Sequence, residues 1–392
     1  MKRIGIYGGM FNPPHVGHMG VVRCAVEKLK LNEMLVIPAN CHPGKEEVIS
    51  TPSPEQRLEM TRLTVGDIPG VTVSDMEICR GGVSYTDETV AELKKQYPDE
   101  ELVLILGSDK FLSFTNWRNW EEILQNTTLA VFYRGGKNEQ ALVEEQKAVV
   151  EAAGGKVILV DNPVTQISST DVRRLIAFCS AGEVVPVPIK QYIIENDLYG
   201  ANECLLNLSP EQLEQKVISL LKPNRVKHVL GCRDTAVALA RHWGDDENNA
   251  LRAGLLHDVT KALDGELQLT LCRAHGIVLD EFSGENPKII HALTGAVVAE
   301  RIFGENHAVV SAIESHTTGK KDMTLLEKII YVADYMEPNR TFDGVEEMRR
   351  LAFSDLNEAL KMGLEMTIQV LKEQGREISG RSAEALRWLN KR

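Results

Sequence analysis

Short apolar runs rich in β-branched residues punctuate the first two hundred positions: Arg3–Tyr7, Met34–Ile37, Val71–Val73, Leu102–Leu106, Leu129–Tyr133 and Val157–Val160. Between them lie helix-length amphipathic stretches such as Met19–Lys30 and Thr86–Gln96. This alternation predicts an α/β fold with a parallel sheet and crossover helices, whose ligands gather at the carboxyl ends of the strands. After Tyr199-Gly200-Ala201-Asn202 the strand pattern stops. Ser209-Pro210-Glu211-Gln212 then supplies an N-cap, a proline at the first helical position and a capping-box glutamine. The boundary is placed there, giving domains 1–204 and 205–392. The second is predicted to be all-α, with helices at Pro210–Leu221, Val226–Trp243, Asn248–Leu263, Gly265–His275, Pro287–Phe303, Ala308–His316 and Met323–Glu337, and two or three more beyond.

Composition narrows the function. The 392 residues are 43% hydrophobic and 26% charged, ordinary globular values that leave room for two or three domains. No apolar stretch approaches the roughly 18 residues of a membrane span. None follows Met1-Lys2-Arg3 as a secretory signal requires, so the cytoplasm is the expected location. Seven scattered cysteines without a Cys-x-x-Cys pair argue against a disulfide frame or a thiolate metal site. The net charge of −12, with neither half basic, argues against a nucleic-acid partner and for small nucleotides held at a few points.

Two segments of the first half carry phosphate chemistry. Gly8-Gly9-Met10-Phe11-Asn12-Pro13-Pro14-His15-Val16-Gly17-His18 joins the first strand to the first helix, where backbone amides and the helix N-terminus favour phosphate and His15 and His18 add N–H donors. Ile167-Ser168-Ser169-Thr170-Asp171-Val172-Arg173 sets three hydroxyls and an arginine at another helix start, more than an N-cap needs. With Gly107-Ser108-Asp109, these strings resemble the nucleotidyltransferases with a Rossmann-like fold, and specifically the bacterial nicotinate-nucleotide adenylyltransferases, over residues 2–200. The histidine turn alone marks only the superfamily; Ser84-Tyr85-Thr86 and Trp117 narrow the resemblance to nicotinate and argue against the runner-up, a pantetheine-phosphate or cytidylyl transferase.

The resemblance implies attack by the 5′-phosphate of nicotinate mononucleotide on the α-phosphorus of ATP, with magnesium on the phosphates and no covalent intermediate. His15, His18, Lys45, Ser169 and Arg173 would hold the triphosphate, with Gly8, Gly9, Ser168 and Thr170 completing the ATP site. Gly107 and Asp109 would hold the adenosine. Ser84, Tyr85, Thr86, Trp117 and Arg134 would meet nicotinate mononucleotide, the tryptophan by stacking on the pyridine; Trp117 and Trp120 at helical spacing could also be core. Met10, Asn12, Gly44 and Glu88 depart from the family pattern, and none of them removes a histidine of the turn.

In the second half, polar residues stand where a core should be. Asp334 shares a helix face with Leu326 and Ile330, and His257-Asp258 continue the stripe of Leu251, Gly254 and Leu255. A carboxylate on an apolar face is costly unless paired or bound to a metal. His228, His291 and His316 supply further donors from other helices, whereas His242, His275 and His307 read as ordinary core or surface residues. Imidazole and carboxylate without thiolate suit iron, manganese or similar ions, in number enough for two, and two such ions can activate water and clamp the phosphate it attacks.

The order His228, His257-Asp258, His291, His316, Asp334 is similar to that of the HD superfamily of metal-dependent phosphohydrolases. Leu256-His257-Asp258-Val259-Thr260-Lys261, Ser315-His316-Thr317-Thr318-Gly319 and Tyr331 to Arg340 resemble its bacterial symmetrical diadenosine tetraphosphate hydrolases. That resemblance implies six metal ligands, His228, His257, Asp258, His291, His316 and Asp334, around a dinuclear centre, often iron. Lys261 and Arg340 would meet the phosphates, and two ADP would be the product. Two other readings of this half stay open, hydrolysis of another nucleotide phosphoester and a nucleotide-sensing module that regulates the transferase. The sequence also leaves a homo-oligomer open.

Overall fold

A computed structural model describes residues 2–43, 52–136 and 138–391. Lys45 and Gly44 lie outside the described residues. The chain divides into two compact units, residues 1–177 with 181–202, and 178–180 with 203–392.

The first unit is built on six strands: β1 (Arg3–Gly9), β2 (Glu33–Pro38), β3 (Val71–Val73), β4 (Glu101–Gly107), β5 (Thr127–Phe132) and β6 (Lys156–Val160). All pair in parallel, in the order β3-β2-β1-β4-β5-β6. Alternate residues of one strand feed opposite faces. Ile4, Leu35, Leu104 and Val131 join one apolar cluster, and Met34, Val36, Val103 and Phe132 join the other. Helices cover both faces, which is why the strands read as nearly continuous apolar runs. The chain winds outward from β1 through β3 and then restarts at β4 on the other side. The carboxyl ends of β1 and β4 therefore flank the point where a crevice opens.

The second unit is helical. Ser209 caps the helix Pro210–Leu220, its hydroxyl accepting from Gln212 N at 3.3 Å, as the capping box predicts. The helices Pro223–Trp243, Glu247–Leu256, Pro287–Arg301, His307–Ser315 and Leu325–Met336 form its centre, with Gly265–His275 beside them. Three more, Val345–Ala352, Leu356–Glu373 and Gly380–Leu389, follow.

One predicted helix is corrected. Asn248–Leu263 is not continuous: it ends at Leu256, and His257 to Leu263 run through tight turns with hydrogen bonds from Val259 N to Leu256 O and from Lys261 N to Asp258 O, both 3.0 Å. His257 and Asp258 therefore lie just past the helix end, not on its stripe. The His257 imidazole takes the Gly254 carbonyl at 2.8 Å, the acceptor a continuing helix would give to Asp258 N. Buried Thr260 donates to His291 O at 3.0 Å, which fastens this turn to the next helix.

Candidate active sites

In the first unit, His15 caps the helix Val16–Lys28 and His18 fills its third position. The His15 backbone N–H donates to His18 Nδ1 at 3.2 Å, so the ring proton of neutral His18 sits on Nε2. The two rings lie 3.8 Å apart. His15 is buried, and neither of its ring nitrogens has a hydrogen-bond partner among the described residues. Burial, with Arg134 adding to it, lowers His18 to about 3; burial, His18 and Arg134 together hold His15 well below the usual imidazole range. Both are neutral N–H donors at neutral pH. Arg134 brings positive charge, its Nε 3.8 Å from Asp109 Oδ1.

The serine-rich helix start is docked on the same turn. Arg173 donates to Asn12 O at 2.6 Å, and Ser169 Oγ donates to Pro13 O at 2.8 Å. Ser168 Oγ accepts from Asp171 N at 3.2 Å and Thr170 Oγ1 from Arg173 at 2.9 Å, so all three hydroxyls have protein partners. Gly8 and Gly9 end β1, while Gly107 ends β4 with Asp109 in the short helix that follows. A Cβ on Gly107 would come within 2.7 Å of Asp109 Oδ1. The residues of the two phosphate segments and of the β4 end thus meet at the crevice.

The segments expected to meet nicotinate mononucleotide also come together. Ser84 Oγ accepts from Asn40 N at 2.9 Å, just past β2, and Tyr85 precedes the helix Thr86–Gln96. The Arg118 guanidinium lies 3.7 Å over the Tyr85 ring and pairs with Asp87 at 2.9 Å and Glu88 at 2.6 Å. Trp117 is half-buried, 5.3 Å from Phe114. Trp117 and Trp120 do not share a helix: Trp117 is extended, with φ −77° and ψ 152°, and Trp120 opens the next helix after Asn119.

Pattern reading missed two arginines here. Arg57 is only 1% exposed and donates to Met10 O at 2.9 Å, Ala39 O at 2.6 Å and Asn40 O at 2.7 Å, tying the loop after β1 to the loop after β2. Arg118 is exposed, and its contacts with Tyr85, Asp87 and Glu88 mark it. Neither has a local sequence signal, since each acts through a fold contact with a distant segment.

In the second unit the six proposed ligands converge. Asp258 is fully buried at the centre. Its Oδ2 lies 3.6 Å from His228 Nε2 and 3.5 Å from His257 Nε2; its Oδ1 lies 3.2 Å from His291 Nε2 and 3.7 Å from His316 Nε2. Each oxygen thus faces a different histidine pair, and each triad has ligand atoms within 4.8 Å of one another. Asp334 Oδ1 stands 3.1 Å from His228 Nε2. Burial opposes the charge on Asp258, yet His257, His291 and His316 hold it well below the usual carboxylate range. This all-N,O donor set around an ionised, buried carboxylate fits two divalent cations.

Backbone carbonyls orient three of the rings. His257 Nδ1 faces Gly254 O, His291 Nδ1 faces Lys288 O at 2.8 Å, and His316 Nδ1 faces Ile313 O at 2.7 Å. A carbonyl only accepts, so each Nδ1 carries a proton, and Nε2, turned toward the centre, is the atom that would give its lone pair to a bound cation. Three cations rim the site. Lys261 Nζ is 3.1 Å from Asp258 Oδ1, Arg340 donates to Asp334 Oδ1 at 2.6 Å, and Arg225, not singled out from the sequence, puts its Nε 3.0 Å from Asp258 Oδ2.

Comparison with known proteins bears on both units. Residues 6–175 match the cytidylyltransferase-like family model, and residues 225–339 match the HD domain model. A protein from Carboxydothermus hydrogenoformans named "Probable nicotinate-nucleotide adenylyltransferase" is 35% identical over 198 residues, 50% of this chain and 98% of the relative. Over its first half, the chain belongs to the nicotinate-nucleotide adenylyltransferase family. Another member of that family, from Clostridium botulinum, is 36% identical over 51% of this chain and 98% of its own length. A solved structure from Clostridium acetobutylicum, a "predicted HD superfamily hydrolase involved in NAD metabolism", is 39% identical over 47% of this chain and 98% of that one, with a TM-score of 0.46. Residues 225–339 are an HD domain, so the chain carries an adenylyltransferase-family unit followed by a helical HD unit. Among the described residues no helix is long and apolar enough to cross a membrane.

The two neutral histidines predict an acid sensitivity. A buried imidazole whose pKa is lowered on folding binds fewer protons than its unfolded counterpart, so its contribution to stability is complete above about pH 6.5 and declines as pH falls toward the folded value near 3. The melting temperature of the first unit should therefore fall more steeply between pH 7 and 5 in the wild-type chain than in His18→Asn, as calorimetry would show. Parallel pH profiles would contradict the assignment.

Proposed function

We propose that the first unit transfers the adenylyl group of ATP to nicotinate mononucleotide, giving deamido-NAD and pyrophosphate. The observation that carries this is the convergence of His15, His18, Arg173 and Arg134 at the β1 and β4 ends, beside the loops holding Ser84, Tyr85 and Trp117. His18 Nε2–H and the unpartnered nitrogens of His15 offer neutral donors to a triphosphate, and Arg134 and Arg173 offer charge. Magnesium on the phosphates would draw off charge that builds toward the leaving pyrophosphate. Family membership supports the reaction, and the nicotinate motifs support the acceptor.

Replacing Trp117 by alanine should raise KM for nicotinate mononucleotide about tenfold with little change in KM for ATP, since aromatic stacking on a base contributes roughly 1–3 kcal/mol. Steady-state kinetics decide it. An unchanged KM for the mononucleotide would remove the stacking role.

For the HD unit we propose symmetrical hydrolysis of diadenosine tetraphosphate to two ADP, with two divalent ions, iron or manganese, held by His228, His257, Asp258, Asp334, His291 and His316. The bound ions would supply Lewis acidity and an activated water. Asp258, with one oxygen toward each histidine pair, carries the dinuclear assignment. Arg225, Lys261 and Arg340 are three cations around one buried centre, enough to engage several phosphates of a polyphosphate bridge. The test is to load the purified chain anaerobically with iron or manganese, add diadenosine tetraphosphate and resolve the nucleotides. ADP as sole product is the expected result. ATP with AMP, or no turnover by a metal-loaded chain, would overturn it.

A further inference from the structure

Three of the four histidines at the HD centre are oriented by main-chain carbonyls three residues upstream. His228 is different. Its Nδ1 lies 3.1 Å from Oε1 of Glu337, a carboxylate 109 residues further along the chain. Glu337 is only 1% exposed and sits just past the end of the helix Leu325–Met336, with φ −52° and ψ 156°, three residues after Asp334. We propose that Glu337 is the positioning residue of the metal half-site formed by His228, His257, Asp258 and Asp334, and that it sets the tautomer and ring orientation of His228. The proposal rests on the dinuclear reading of the HD unit.

The pocket around the carboxylate is built for an anion in one orientation. Its second oxygen, Oε2, accepts from Asn339 N at 2.7 Å and from Asn339 Nδ2 at 2.8 Å. Asn339 Nδ2 also donates to Lys227 O at 3.1 Å, on the helix that carries His228. Gly231, one turn after His228, makes the approach possible, because a Cβ there would lie 2.4 Å from Oε2. With Oε2 committed to Asn339, Oε1 is left to accept from His228. A carboxylate only accepts, so the imidazole proton is fixed on Nδ1. Nε2 then turns its lone pair toward Asp334 Oδ1 at 3.1 Å and Asp258 Oδ2 at 3.6 Å.

This predicts what an isosteric amide does. In Glu337→Gln one oxygen becomes an NH2 donor. With the oxygen toward His228, the NH2 opposes two Asn339 donors. With the oxygen toward Asn339, the NH2 forces a proton acceptor at His228 Nδ1 and moves the ring proton to Nε2, where it blocks a cation. Either arrangement weakens one half-site and leaves the pair His291 and His316 untouched. Loss of such a supporting partner usually lowers metal affinity about 10–100-fold.

The experiment is a calorimetric titration of the chelator-stripped, full-length chain with manganous ion, for wild type, Glu337→Gln and Gly231→Ala. We expect two sites in wild type. In Glu337→Gln one site should weaken about 10–100-fold, with the other unchanged, the metal-free melting temperature little altered, and hydrolysis restored by raising manganese. Gly231→Ala, whose Cβ displaces the carboxylate while alanine suits the helix, should weaken the same site and decides the matter if Glu337→Gln fails to fold. Wild-type affinity at both sites in the variants overturns the proposal, as does equal weakening of both sites with a lower metal-free melting temperature. A wild-type chain that binds no manganese overturns the dinuclear reading itself, and is thereby distinguished from failure of the Glu337 role alone.

Discussion

Replacing His18 by alanine should lower kcat for adenylyl transfer by about 100- to 1,000-fold, the usual cost of removing one fixed donor from the place where charge develops. The backbone N–H of His15 holds His18 Nδ1 and leaves Nε2–H as the donor. Since burial keeps the ring neutral, with a pKa near 3, alanine removes a hydrogen bond and not a positive charge. His18→Asn, which retains a side-chain N–H, should recover part of the loss. His15→Ala should have a similar effect, and the double variant should lose less than the product of the two, because rings 3.8 Å apart would act on one triphosphate. Steady-state assays of both reactions on the same preparations check this. Diadenosine tetraphosphate hydrolysis should be unchanged, and a less than threefold loss of transfer in His18→Ala would remove the histidine from the chemistry.

Asp258→Ala should have the opposite selectivity. Hydrolysis should fall by well over the roughly 10–100-fold seen when an outer partner of a metal ligand is lost, while adenylyl transfer stays at the wild-type level. The reason is geometric: one carboxylate faces both histidine pairs, so its loss takes a donor from each half-site. His316→Ala removes a donor from one half-site only. Metal analysis of the loaded proteins should therefore give two ions for wild type, one for His316→Ala and fewer than one for Asp258→Ala. Asp258→Asn keeps the volume of the side chain and separates loss of charge from loss of fit. An Asp258→Ala chain that still hydrolyses the dinucleotide fully would refute the metal assignment.

The departure of Asn12 from the family pattern gains a structural account. Asn12 Oδ1 accepts from the Tyr199 hydroxyl at 2.7 Å, while its backbone carbonyl receives Arg173. Asn12 thus links the histidine turn to two later segments, and an amide oxygen suffices for the contact. For Met10 no such contact of its side chain explains the difference.

How much of this was legible in the sequence depends on whether the controlling interaction was local. The six strands could be read from their apolar runs because a parallel sheet covered on both faces buries nearly every residue of its inner strands. The helix start at Pro210 could be read because Ser209 and Gln212 cap each other within three residues. Asp334 was legible because a carboxylate on an apolar helix face is anomalous in any fold. The end of the helix at Leu256 was not, since neither glycine nor proline stops it; the His257 ring and the tie from Thr260 to His291, 31 residues away, turn the chain. The family resemblance could name six candidate ligands but not their grouping, which arises because packing aims the two oxygens of Asp258 at different helices. Arg57, Arg225 and Glu337 could be assigned only in the folded chain, because each derives its meaning from a distant group and leaves no periodicity behind. The sequence by itself determined the elements and the chemistry available to them; tertiary structure decided which donors share a centre, because side-chain direction there is set by contacts far apart along the chain.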